Sequence, residues 1–392
     1  MSRNKWLNAA LPAVLLHGSI GSVYAFSLLV KPISEHINRS TSQVQFAFSL
    51  AIFFLGMSAA FGGSIVERNI HKSSLISCSC FFCGLIITSL AMSFKSLILL
   101  YIGYGCVMGI GLGIGYLTPV KTLMLWFKNN KGLATGISVC AFGFASTIAS
   151  PIITFLLNNY KLSTVFLILS FIYYFPMLIA HNLLCKPESW IEPQTRSGFQ
   201  IKRLLKDYKF KSIWFVIFIN ITCGLAVIST ASPMLSEQSM SKGNIAAVVS
   251  IMGIFNGAGR LIFSAFSDKL KNRAYIYNVI LVISIIMCVL ALATAKMSFI
   301  SLILISACYG AGFSCLPSML SDIYDMKHIS KIHGLTLSAW AMAGLCGNQM
   351  SEIIHNNTGN YINVFKITLI LYVIAIVVNM IVVYAIAHRR IR

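Results

Sequence analysis

Long, nearly charge-free apolar stretches govern what this chain can fold into. They recur twelve times and are separated by short polar links. About 20 apolar residues suffice to cross the hydrocarbon of a bilayer. A backbone in lipid must satisfy its own polar groups, and a helix does so within one segment. Hydrophobic residues make up 57% of the chain and charged residues only 10%, whereas a soluble domain carries about a quarter charged residues. No water-soluble fold of this length can hide that much apolar surface. An outer-membrane barrel is excluded too, because its strands alternate polar and apolar residues. The expectation is an all-α integral membrane protein. Spans are placed at 8–33, 43–66, 73–94, 97–126, 132–158, 162–184, 211–236, 244–267, 274–294, 299–322, 332–354 and 362–387. The first run is too long for a cleaved signal peptide and lacks a convincing cleavage site, so it stands as the first span.

One polar link is longer than the rest. It runs from Cys185 to Lys211 and holds Pro187, Pro193, Gly198 and a cluster of basic residues. It divides the chain into an N-terminal six-helix bundle (1–184), a linker with a surface helix (185–210) and a C-terminal six-helix bundle (211–392). The halves echo one another. Gly63 to Arg68 corresponds to Ser264 to Lys269, 201 positions on; Pro119 corresponds to Pro317, 198 on; Gly132-Leu133 corresponds to Gly334-Leu335, 202 on. Three pairs at nearly one offset argue for a duplicated six-helix unit in two pseudo-symmetric bundles.

The formal charge of +20 points to topology, not to nucleic acid, because the Lys and Arg residues fall in the links. The side holding the N-terminus, the central link and Arg389, Arg390 and Arg392 carries about 21 of them, and by the positive-inside rule it is cytoplasmic. The other side carries Lys31, Arg39, Lys95, Lys161, Lys242, Lys296 and Lys366. The expected location is therefore the inner or plasma membrane, multi-pass, with both termini cytoplasmic. In the linker, Ile201, Leu204, Leu205 and Tyr208 share a helical face bordered by Lys202, Arg203, Lys206 and Lys209, which reads as a helix lying on anionic lipid. The eleven cysteines lie mostly singly in apolar runs and read as small packing residues. No motif asks for a cofactor or a metal, and a monomer is expected. The run Gly109, Gly111, Gly113, Gly115 lies inside an apolar span with no preceding strand. It reads as close helix packing, not a dinucleotide loop.

All ten acids stand at span ends or in links. Arg260, by contrast, lies about eight residues from Asp268, roughly 12 Å along a helix. A charge at that depth is costly and usually faces a substrate or ion path. Two readings stand: Arg260 meets an anionic substrate in a water-filled cavity, or it snorkels and binds backbone carbonyls. Asn256, one turn away, shares its face. Tyr24, Tyr116 and Tyr309 on three spans are candidates to line a cavity, with packing as the alternative for each. Lys121 and His17 are possible charge or proton sites. Lys121 lies near enough to Trp126 and Phe127 to snorkel, and His17 is equally readable as a neutral hydrogen-bonded residue. Glu67/Arg68 and Asp268/Lys269 open each half's central cytoplasmic turn. An acid there pairs with a basic neighbour or caps a helix N-terminus, so these four read as gating residues.

The pattern Gly63-x-x-x-Glu67-Arg68-x-x-x-Lys72, with its second copy at Asp268, Lys269 and Arg273, resembles the loop signature of the major facilitator superfamily in degenerate form. Four longer stretches resemble the oxalate/formate antiporter-like (monocarboxylate transporter) family within it. They are Gly21 to Ser27, Gly113 to Val120 with Lys131 to Gly136, Asn256 to Arg260 through Asp268, and Ser338 to Gly344. The resemblance spans nearly the whole chain. It implies a twelve-helix bundle working by alternating access on carboxylate anions. In that family the arginine matching Arg260 contacts the carboxylate, and aromatics matching Tyr24, Tyr116, Tyr309 and Phe313 line the cavity. The oxalate-exchanging members have a lysine where this chain has Trp340. One fixed cation suits one carboxylate and a dianion wants two, so the expected substrate is a small monocarboxylate such as lactate, pyruvate or formate, with Trp340 against its apolar tail. The rivals are a proton-driven exporter of drugs or amino acids, which the absence of a mid-span acid disfavours, and a membrane ligand sensor, for which no appended signalling domain is expected. No enzyme motif is present in a suitable context.

Overall fold

A computed structural model of the chain describes residues 4–188, 190, 200–294 and 297–389. The linker positions Ser189 and 191–199, including Pro193 and Gly198, and the terminal Arg390 and Arg392 lie outside the described residues, as does Lys296.

The described chain is helical throughout. In order the helices are α1 (Trp6–Ile37), α2 (Thr41–Arg68), α3 (Ile70–Ser93), α4 (Leu97–Trp126), α5 (Lys131–Asn159), α6 (Leu162–Leu183), the short α7 (Ile201–Lys206), α8 (Tyr208–Glu237), α9 (Lys242–Ser267), α10 (Tyr275–Ala293), α11 (Ser298–Ile323), α12 (Ile329–Thr358) and α13 (Val364–Arg389). Apart from α7 these are the twelve expected spans. Among the described residues, eleven are long and apolar enough to cross a membrane. The twelfth, α12, carries Lys331, His333, Glu352 and His355 and is the most polar of the set.

Local chemistry fixes the helix starts. Ser40 accepts from the Gln43 amide while the Gln43 side chain takes the Ser40 amide, a capping box opening α2. Asn69, Asp207 and Ser241 accept from amides in the first turns of α3, α8 and α9. Asp207 also ends α7 at Lys206, so Tyr208 begins the next helix and does not extend the surface one.

By internal contacts the chain forms two compact units. One holds residues 1–128, 137–192 and 327–341; the other holds 129–136, 193–326 and 342–392. In the first, α4 packs on both α2 and α3, and α6 packs on α3 and α1. The glycine run makes this possible. A Cβ at Gly109 would lie 2.9 Å from the Ala51 carbonyl oxygen on α2, and one at Gly111 would lie 2.8 Å from the Phe81 amide on α3, so backbones approach on two sides of α4. In the second, α11 packs on α9 and α10, and α13 on α8 and α10. Large apolar side chains such as Phe61, Phe94, Ile148 and Phe155 are more than 60% exposed. Such surface suits acyl chains, not water.

Candidate functional site

Arg260 is fully buried on α9 (0% exposed). Its Nε donates to Oδ1 of Asn256, one turn earlier, at 3.0 Å. Its guanidinium carbon lies 5.4 Å from the ring centroid of Phe313 on α11, within cation–π range. Phe313 meets Tyr309 edge-on at 5.2 Å. Gly310, between those aromatics, lets the two helices close up: a Cβ there would lie 3.1 Å from Arg260 Cγ. The predicted residues Arg260, Asn256, Tyr309 and Phe313 thus form one cluster within the second unit.

This cluster has a member that the sequence reading passed over. Asn220 on α8 is 1% exposed, and neither its amide nitrogen nor its amide oxygen has a hydrogen-bond partner among the described residues. It lies against Gly312, beside Phe313. An unmet amide in a buried position costs about 1–3 kcal/mol, so it is available to a ligand. Its signal was an amide in the middle of the otherwise apolar stretch 211–236.

The first unit gathers the remaining aromatics. Tyr116 on α4 and Trp340 on α12 are both 0% exposed. Their rings meet edge-on at 5.7 Å, and both meet Phe142 of α5, at 5.6 and 6.0 Å. Tyr24, half-buried on a 3₁₀ turn of α1, also packs edge-on to Phe142 at 5.4 Å. Its hydroxyl is buried with no hydrogen-bond partner among the described residues. His17 stacks on Tyr116 at 4.9 Å. Its Nδ1 is 2.7 Å from the Ser138 carbonyl oxygen and its Nε2 3.0 Å from that of Tyr116. Phe142, Ser138 and His333, the last 6.0 Å from Tyr116, join this cluster without having been singled out in the sequence. Among apolar runs rich in phenylalanine and serine they carry no distinguishing pattern.

The paired acids hold helix starts. Asp268, ending α9, accepts from the Gly132 and Leu133 amides, each at 2.8 Å, and from Arg273 at 2.8 Å. Arg273 also reaches both oxygens of Asp322, at 2.6 and 2.8 Å. Burial alone would lower the affinity of Arg273 for its proton, but Asp322 and Asp268 outweigh it and the pKa is raised, so Arg273 stays a cation. Glu67, ending α2, accepts from the Ser330 amide at 2.6 Å and pairs with Lys121. Lys121 therefore does not snorkel: at 2% exposure it turns inward, because α4 packs on α2 and sets its stem opposite Glu67. Arg68 and Lys269 are exposed. Arg68 borders a cavity of about 350 Å³ with His71, Lys186, Glu188 and Trp190.

Comparison with known proteins places this geometry. The Major Facilitator Superfamily model matches residues 11–347 and, in a second match, 213–390. The chain is 24% identical over 365 residues to the oxalate:formate antiporter of Oxalobacter formigenes, covering 91% of this chain and 86% of that one. It is 20% identical over an alignment of 455 positions to apicoplast pyruvate carrier 1 of Toxoplasma gondii, covering 88% and 83%. Among solved structures it is similar to the major facilitator transporter FucP in its outward conformation, at TM-score 0.76 and 14% identity over 95% of this chain and 97% of that one. The match covers most of the chain and the helices agree with it: this multi-pass membrane protein belongs to the major facilitator superfamily.

Proposed function

We propose that the chain is a secondary transporter of small monocarboxylate anions, with Arg260 binding the carboxylate. The observation that carries this reading is Arg260 itself, a guanidinium at 0% exposure positioned by Asn256 Oδ1 on its Nε and by the ring of Phe313. In such a low-dielectric setting a cation attracts an anion far more strongly than it does in water. A guanidinium presents a fixed fork that matches a carboxylate. Asn220 offers a further donor and acceptor in the same cluster. Relatives that carry oxalate and formate or pyruvate by name support the substrate class. Trp340, at the position where the oxalate-exchanging members of the resembled family have a lysine, favours one carboxylate over two.

The transport cycle is alternating access, with Asp268 and Glu67 as gating residues. Each carboxylate sits at the positive end of a helix dipole, a contact that forms or breaks as a unit. The two six-helix bundles, 1–184 and 211–392, are the moving parts, and both termini face the cytoplasm. The full chain in liposomes, offered labelled lactate, pyruvate, formate and oxalate separately, should accumulate at least one monocarboxylate and exclude oxalate. Uptake of oxalate alone would overturn the reading.

A further inference from the structure

We infer that His17 is a proton-binding site, built with a carbonyl acceptor for each N–H of the imidazolium and a hydroxyl that can turn to serve the neutral ring. Nε2–H donates to the Tyr116 carbonyl in either state. Nδ1 faces two groups of a single residue: the carbonyl oxygen of Ser138 at 2.7 Å and its hydroxyl at 3.0 Å. A carbonyl only accepts, so it serves the Nδ1–H of the imidazolium. A hydroxyl also donates, so it serves the bare nitrogen of the neutral ring. Losing the Nδ1 proton therefore asks that the Ser138 hydroxyl turn to donate and that Nδ1 draw back from the carbonyl oxygen, since two acceptors at 2.7 Å oppose each other. A histidine that merely filled space would need one partner per nitrogen. Here the second partner matters, because the ring is 0% exposed and an unmet donor or acceptor at such a site is penalised heavily.

The surroundings leave this proton room. From α4 comes Tyr116, stacked on the imidazole, and from α5 come Phe142 and Ser138. The start of α12 contributes His333, whose ring lies 6.0 Å from that of Tyr116 and whose Nε2 has no hydrogen-bond partner among the described residues. The helix α6, packed on α1, carries Tyr173 and His181; the Nδ1 of His181 is held by the Ser74 hydroxyl at 2.8 Å. On α1 itself the nearest titratable side chain of the cluster is Tyr24, across Phe142. Two imidazolium ions beside one Tyr116 ring would repel each other, so the cluster holds a single proton. Its arrival changes the charge of a buried aromatic cluster by one unit. That is the physical requirement for a group that links pH to the state of the protein.

The test follows the nitrogen signals of all eight histidines in the full-length protein, labelled at the imidazole nitrogens and embedded in lipid, from about pH 5 to about pH 9. The proposal expects one buried ring to pass from doubly protonated to singly protonated, and that signal to vanish in His17→Gln. Ser138→Ala keeps the carbonyl and removes the hydroxyl, which destabilises the neutral ring alone. The same transition should therefore move up by about half to one pH unit. This shift identifies the His17 signal even if His17→Gln fails to insert. A ring that stays neutral throughout overturns the proposal. So does one that stays charged throughout, or a Ser138→Ala midpoint that stands still or falls. No transport is measured, so the outcome is separate from that of the carboxylate reading.

Discussion

Asp268→Asn isolates what the gating carboxylate contributes. The amides of Gly132 and Leu133 begin α5, and the first four amides of a helix have no acceptor within it. Asp268 supplies one to each: Oδ1 to Gly132 and Oδ2 to Leu133, both at 2.8 Å. Its side chain is only 10% exposed, so solvent screens these bonds little. Asparagine has a single acceptor. Its best placement keeps the oxygen on Gly132 and Arg273 and turns an NH₂ toward the Leu133 amide, setting donor against donor. A hydrogen bond to a charged group contributes about 1.5–3 kcal/mol, and about 1.4 kcal/mol is tenfold. Hydrogen exchange at Leu133 should therefore quicken about 10-fold to about 150-fold. Arg273 keeps Asp322 and so keeps its place. Amide exchange of the purified protein, read at the start of α5, measures this. Glu67→Gln, whose bond is to Ser330, serves as the control that leaves Leu133 unchanged. A Leu133 rate within about twofold of the parent would refute the claim that the carboxylate holds this helix end.

Three further outcomes follow from the packing. Asn256→Leu removes the acceptor of the charged Arg260 Nε, a bond worth about 1.5–3 kcal/mol, so substrate KM should rise about 10-fold to about 150-fold with insertion intact; an unchanged KM contradicts the positioning role. Gly334→Ala drives a Cβ against the Ala59 backbone, its carbonyl carbon only 2.8 Å away, and should destabilise the protein by about 1–3 kcal/mol as overpacking does, read as a lower Tm. Gly18→Ala, with nothing within 4 Å, should not lower it. Trp340→Lys places a second cation beside Tyr116 and should let oxalate inhibit monocarboxylate uptake, whereas oxalate without effect would remove the argument from a single fixed charge.

The fold was open to sequence reasoning because membrane spans are written in runs of composition that need no tertiary context. Even α12, the most polar span, was placed at 332–354 from its apolar run. Arg260 and Asn256 were paired because four residues make one helical turn. The partners of the acids were not legible. Asp268 and Glu67 bind backbone amides, which have no sequence identity, and the duplicated pattern hides an asymmetry: Asp268 holds residues 132 and 133, but Glu67 holds Ser330, four positions before the matching Gly334. Lys121 was read as snorkelling because its distance to Trp126 is visible in sequence and its packing against α2 is not. Phe142 and Ser138 escaped notice for the same reason, since only the approach of α5 to α1 gives them a role.

The central claim is that Arg260 binds the transported carboxylate, and uptake by Arg260→Gln tests it most directly. Liposomes holding equal amounts of the parent and the variant, both verified as inserted, are offered the labelled monocarboxylate that the parent accumulates. The account predicts uptake at background for Arg260→Gln, because glutamine offers hydrogen bonds but no charge to the anion. Full uptake by the variant would contradict it.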